Sequence, residues 1–327
     1  MFRFILNAVV NNQGRWPSLG DVNMKTLKMK LLRGLAMTAV GMMAAVPLAA
    51  SAAQPYTFAL LLSTLNNPYF VAMKDSAQAE ANRLGIKLLV LDGNNSSTTQ
   101  TNQVRTAIAR KVDMLLINPT DATAMSPSVE EANRAGVPVI FLDRRTDKGK
   151  ALDFFASDNV DAGTTACDFI AKKLGGKGDM AILLGVPGAS ATNERTQGCE
   201  AALKAYPGIK VVAKQTANFN RQQGLDVMRN ILIAHPTGLL AVFAENDEMA
   251  LGAVQALHAA NRATGITIAS IDGTPDGIAA VKKGDIALDV AQQPALMSKL
   301  GVMAGYEYLH SGVPFVAVPL QLHVAGK

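Results

Sequence analysis

The chain has 327 residues, with 31 basic and 26 acidic residues for a formal net charge of +5, and two cysteines, Cys167 and Cys199. Residues 1–52 hold six of the basic residues (Arg3, Arg15, Lys25, Lys28, Lys30, Arg33) and one acidic residue, Asp21, so the remainder carries 25 of each and is neutral. The excess of positive charge therefore belongs to the leader, and nucleic acid has no support as a partner.

Lys25, Lys28, Lys30 and Arg33 precede an apolar stretch over 34–49, and Ala50-Ser51-Ala52 then offers a small-x-small cleavage site. This is the pattern of a secretory signal peptide cleaved near Ala52/Ala53, and it predicts export to the periplasm. The apolar stretch is short for a membrane span, contains Pro47 and lacks a charged stop-transfer flank. Residues ahead of Met24 or Met29 read as an upstream extension from a mis-assigned start codon, because a signal peptide works from the N-terminus.

About 275 residues follow the cleavage site, comfortable for two domains. Apolar strand-like runs at 56–63, 86–91, 113–118, 137–142, 180–184, 209–215, 239–244, 266–271 and 286–291 alternate with helical patterns. The helices are expected at 68–84, 98–109, 122–135, 163–174, 191–206, 221–234, 249–260 and 295–309. Strands apolar throughout and separated by helices predict parallel sheets covered on both faces. Glycines at 85, 136 and 265 supply the expected helix ends. Four β-α units precede about Ser157 and four follow it, so the fold class is α/β with two similar doubly wound parallel-sheet domains. A core of that size does not depend on a staple, so Cys167 and Cys199 are expected as separate buried thiols, although an exported protein could join them.

Ligands bind at the carboxyl ends of strands in such sheets. There the first strand runs into Ser63-Thr64-Leu65-Asn66-Asn67-Pro68-Tyr69-Phe70. Two amides and two rings at that point suit a small polar ligand with a C–H face, although Asn-Asn-Pro is also ordinary turn chemistry. Similar loops recur: Asn118-Pro119-Thr120-Asp121, Asp143-Arg144-Arg145, Asn193-Glu194-Arg195, Phe219-Asn220-Arg221, Glu245-Asn246-Asp247-Glu248, Asp272-Gly273-Thr274-Pro275-Asp276 and Gln292. Singly they have plain readings: Asp121 and Asp247 as helix caps or first-turn acids, Asp272-Gly273 as a turn, Arg195 as a surface residue. Their joint occurrence at one topological position favours a shared cleft.

The first loop has no glycine, which rejects the Gly-x-Gly-x-x-Gly turn of a dehydrogenase, and Gly185-Val186-Pro187-Gly188 lacks the lysine of a phosphate-binding loop. The four histidines, His235, His258, His310 and His323, show no ligand spacing, so no metal is expected, and no cofactor or catalysis either.

These loops, together with Leu142-Asp143-Arg144, Ala156-Ser157-Asp158-Asn159-Val160, Asn246-Asp247-Glu248-Met249-Ala250 and Asp272-Gly273-Thr274-Pro275-Asp276-Gly277, resemble a periplasmic sugar-binding protein of the ribose-binding type, the type I substrate-binding protein of an ABC importer. The likeness runs from about Tyr56 to Val324. It implies one lobe of residues 53–157 and 293–320, and a second of 158–292 and 321–327. A three-segment hinge would cross near Ser157, Gln292 and Leu320. By motif, its ligand contacts fall on Asn67, Tyr69, Phe70, Asn118, Asp143 and Arg144 in the first lobe, and on Arg195, Phe219, Asn246, Asp272 and Gln292 in the second. The implied ligand is a monosaccharide, D-ribose first, and the implied partner is a transporter permease reading the closed form of a monomer; whether a chemotaxis receptor also reads it stays open. Two positions depart from the pattern. Tyr69 stands where ribose binders usually carry Phe, and Ile271 replaces a usual aromatic and would leave extra room. A cytoplasmic sugar-responsive repressor core is the alternative, but a leader stands where its helix-turn-helix would be.

Overall fold

A computed structural model of the protein describes residues 55–315, 320 and 322–326. The expected signal peptide and the extension before it lie outside the described residues.

The first sheet contains β1 (Thr57–Leu62), β2 (Lys87–Asp92), β3 (Met114–Ile117), β4 (Val139–Leu142) and β5 (Asp153–Phe155), in the order β2-β1-β3-β4-β5. Every neighbouring pair in it is parallel. Helices α1 (Pro68–Leu84), α2 (Ser97–Ala109) and α3 (Ser126–Arg134) alternate with the first strands. The fully buried β1 side chains point alternately into two cores, Phe58, Leu60 and Leu62 into one, Ala59 and Leu61 into the other. That is why its run is apolar without alternation.

The second sheet has the order β11-β10-β9-β8-β6-β7. Its strands are β6 (Lys177–Leu184), β7 (Gly208–Thr216), β8 (Leu239–Ala244), β9 (Thr267–Asp272), β10 (Leu288–Ala291) and β11 (His323–Ala325). Among these described strands the β10–β11 pair is antiparallel and the other pairs are parallel. Around the sheet lie α4 (Asn159–Lys173), α5 (Ser190–Leu203), α6 (Arg221–Ala234), α7 (Asp247–Ala259) and α8 (Pro275–Lys283). The last helix, α9 (Pro294–Ser311), packs back against α1 and the first sheet. Strand order reverses at β1/β3 in one sheet and at β6/β8 in the other, which marks two equivalent switch points.

The chain passes from the first sheet to the second between β5 and α4, and returns between β10 and α9. Ser157 in the first passage pairs in parallel with Leu320 as the chain runs towards β11.

Several expectations are corrected. Helix α4 begins at Asn159, four residues before the expected start, because Asp158 Oδ1 caps it by accepting the Asp161 N–H at 2.9 Å. Residues 122–125 are a turn rather than the start of α3, with Asp121 Oδ1 accepting from the N–H groups of Thr123 and Ala124. Strands β5 and β11 and helix α8 are additional. The cysteines are not separate thiols: Cys167 on α4 is disulfide-bonded to Cys199 on α5, with Cα atoms 5.0 Å apart. Glycines bring the two helices together. A Cβ on Gly163 would lie 2.1 Å from the Arg195 carbonyl oxygen, and one on Gly198 would lie 2.0 Å from that of Val160. Core size argued against a needed staple, but it is helix separation that decides whether thiols meet.

Candidate functional site

The turn after β1 is built by Asn67. Its Oδ1 accepts the Tyr69 N–H at 2.9 Å, capping α1, while Pro68 takes the first helical position. This aims Tyr69 and Phe70 along the carboxyl edge of the sheet, and both rings are buried. Asn67 Nδ2 reaches the Phe219 carbonyl of the other lobe at 3.5 Å.

Asn118 is wholly buried behind this edge. Its Oδ1 accepts the Ser63 N–H at 3.1 Å, and its Nδ2 donates to Leu142 O and to Asp143 Oδ2 at 3.1 and 3.0 Å. The Tyr69 hydroxyl donates to Asp143 Oδ1 at 2.9 Å, so both carboxylate oxygens are fixed. Arg144 follows, buried, its Nη1 donating to Ser63 Oγ at 3.3 Å. Its guanidinium lies 5.2 Å from the Phe70 ring centre and 5.1 Å from that of Phe219, a cation held between two aromatic faces from opposite lobes.

In the second lobe Arg195 is buried rather than on the surface. Its Nε donates to Asn159 Oδ1 at 2.8 Å, its Nη1 donates to the Glu245 carbonyl, and Nη1 lies 3.8 Å from Asp272 Oδ1. The Phe219 ring fills the space beside Gly185, where a Cβ would come within 2.0 Å of it. Asn246 caps α7 through the Met249 N–H. Gln292 Nε2 donates to Asp272 Oδ1 at 3.0 Å, and its Oε1 lies 3.3 Å from the Tyr69 hydroxyl.

Nine of the eleven expected residues, all but Asn118 and Gln292, wall a single narrow cavity between the lobes, with Ala191 added. Asn118 and Gln292 stand behind the wall and hold Asp143, Asp272 and Tyr69 in place. Ile271 is also off the wall: it packs in a core with Ala269 and Val290, so the room it was expected to leave is not in the cavity. Two larger grooves open elsewhere, each lined from one lobe, while a neighbouring hollow in the same cleft shares Asn67, Phe70, Arg144 and Phe219 with this cavity. In this cavity, carboxylates and guanidinium groups from both sheets converge.

The backbone is unusual at three of these positions. Asp143, Phe219 and Asp272 have φ of 62°, 55° and 143°. Non-glycine residues adopt such values at a cost of order 1–3 kcal/mol where strained, and they persist where surroundings over-determine them. Burial pushes the Asp272 carboxyl well above the usual carboxylate range, with nearby Asp247, Asp289 and Asp143 adding to the rise and Arg195 opposing it. Burial likewise raises the Tyr69 hydroxyl, seconded by Asp143, and lowers the Arg144 guanidinium. The enclosure thus offers donors, acceptors and ring faces together, an arrangement able to hold several hydroxyls of one small molecule.

Sequence reading misses Asn159, read only as part of a shared motif, and Glu245, read only as a loop neighbour of Asn246. Glu245 is fully buried beneath the site, accepting the Gly185 N–H at 2.8 Å and the Thr196 hydroxyl, and burial raises it to about 7. Its place at the end of the apolar strand β8 was the available signal.

A periplasmic binding protein domain model matches residues 58–312. The chain belongs to this family. This periplasmic binding protein is 46% identical over 301 residues to the ribose import binding protein of Salmonella typhimurium, covering 92% of this chain and all of that one. With the ribose import binding protein of Bacillus subtilis it shares 46% over 255 residues, 78% of this chain and 82% of the relative. Among solved structures, a Caulobacter myo-inositol binding protein bound to myo-inositol superposes with a TM-score of 0.79 at 30% identity, covering 83% of this chain and 93% of the other.

Proposed function

We propose that this protein is the substrate-binding component of an ABC sugar importer, working in the periplasm, and that it binds one monosaccharide between its lobes without altering it. The observation that carries this reading is the small cavity walled from both sheets by amides, carboxylates, guanidinium groups and aromatic rings. A sugar hydroxyl donates one hydrogen bond and accepts others. Asp143 and Asp272 accept, Arg144 and Arg195 donate, Asn67 and Asn246 do both, and charged partners strengthen such bonds. Phe70 and Phe219 cover the C–H faces. D-Ribose is the first choice, supported by the names of the relatives; a related pentose or a small hexose is second.

Transport follows from closure. Contacts split between two lobes favour the closed form by their differential affinity, and the chain passages between the sheets absorb the rotation. The closed lip is then the surface a permease reads.

Titration calorimetry on residues 53–327 tests this. One D-ribose is expected to bind per chain, and Arg144→Ala and Asp272→Ala are each expected to weaken binding more than tenfold, since a buried group left unpaired costs about 1–3 kcal/mol. Unchanged affinity in both variants would remove the proposed site. Binding of another sugar in place of ribose would correct the ligand alone.

A further inference from the structure

Asn159 is buried at the first position of α4, two residues beyond Ser157, whose backbone pairs with Leu320. It does not line the cavity. Its amide nevertheless lies between two consecutive residues of α5 that face different tasks. Oδ1 accepts from Arg195 Nε at 2.8 Å, and Nδ2 donates to Glu194 Oε2 at 3.3 Å. The other Glu194 oxygen, Oε1, accepts from Arg145 Nη2 of the first lobe at 2.9 Å. The Arg145 backbone N–H in turn donates to Ser190 Oγ, at the start of α5, at 3.2 Å. Arg145 directly follows Arg144 on the cavity wall.

The polarity of the amide is therefore dictated from both sides. A guanidinium needs an acceptor and a carboxylate needs a donor, and only a side chain carrying one of each satisfies both. Aspartate would keep the acceptor for Arg195 but set a carboxylate against Glu194. We infer that Asn159 is a positioning residue that ties the cavity-facing Arg195 to the Glu194–Arg145 ion pair between the lobes, so that ligand contact and lobe contact are made together.

This rests on the cleft binding a ligand as proposed above, and it adds a coupling that the cavity wall alone does not contain. Neighbouring groups sharing a network give non-additive effects, and here the chemistry supplies a reversal. When Asn159→Asp is combined with Glu194→Gln, the amide introduced on α5 would donate to the carboxylate introduced on α4, while the amide oxygen still accepts from Arg145.

The test is calorimetry with D-ribose on the 53–327 protein, its Asn159→Asp and Glu194→Gln variants, and the double variant, alongside unfolding midpoints without sugar. Asn159→Asp is expected to bind about tenfold more weakly, with the double variant back within about threefold of the parent. Losses in the two single variants that multiply in the double variant would overturn the inference. So would a double variant whose midpoint recovers while its affinity does not, because Asn159 would then serve stability alone. If the parent binds no sugar, the proposed function fails, whereas recovery of the midpoint still reports whether Asn159 and Glu194 are paired.

Discussion

At position 69 a phenol does what a plain ring cannot. The Tyr69 hydroxyl donates to Asp143 Oδ1 at 2.9 Å and stands 3.3 Å from Gln292 Oε1, in a residue buried from solvent. Replacing it with Phe leaves the edge-to-face contact with the Phe70 ring intact and removes one buried hydrogen bond. Tyr69→Phe should therefore lower stability by about 0.5–1.5 kcal/mol, read as a small drop in the denaturation midpoint. It also frees a carboxylate oxygen at the cavity edge, so a calorimetric panel of sugars should show altered preference among them. Which residues gather at the strand ends was legible in the sequence, because strand ends and residue types are both visible there. Which of them face the cavity was not. Asn118 and Gln292 share the position and chemistry of true wall residues, yet each lies one layer back, and depth behind a strand end depends on neighbours distant in sequence. Arg195 shows the converse: a lone arginine early in a helix reads as solvated until the partners supplied by Asn159, Glu245 and Asp272 are known.

Between elements, the α4–α5 contact has the least slack. Gly163 admits the Arg195 carbonyl where a side chain would be, so Gly163→Val would push apart the helices that carry Asn159 and Arg195. A loss of both stability and sugar affinity, the latter at least about tenfold, is expected by melting and calorimetry. The Cys167–Cys199 bridge spans 32 residues in sequence, and loop-closure entropy puts its contribution at about 2–4 kcal/mol. Serine at both positions should lower the unfolding midpoint by several degrees yet leave affinity within a few-fold, because the glycine contacts still set the helix spacing. Long apolar strands and well-capped helices were legible as elements; α1 and α6 end where the pattern placed them. The short strands β5 and β11, three residues each, carry too little pattern to announce themselves and owe their state to the sheet edges they join. Gly163 hid the true start of α4, since an interior glycine costs about 1 kcal/mol against alanine and reads as a boundary. Here helix packing outweighs that cost.

For the molecule as a whole, buried acids set the response to pH. Burial raises Glu245 to about 7 and Asp289 to about 8, the latter also through repulsion from Asp247. Unfolded, such groups titrate at about 4, so between about pH 4 and pH 8 the folded state binds more protons than the unfolded one. Their contribution is full below about pH 4 and is lost as pH rises through about 7 and 8. Thermal unfolding at pH 5 and pH 8 should accordingly show the higher midpoint at pH 5, with a difference on the order of a few kcal/mol. Glu245→Gln should flatten part of that decline.

The pairing of Ser157 with Leu320 has a mechanical meaning. Two passages of chain meet at that point, and a door hung on two pins swings but does not twist. In the closure proposed above, that pairing would favour one arc of approach and bring Arg145 back to Glu194 in the same register.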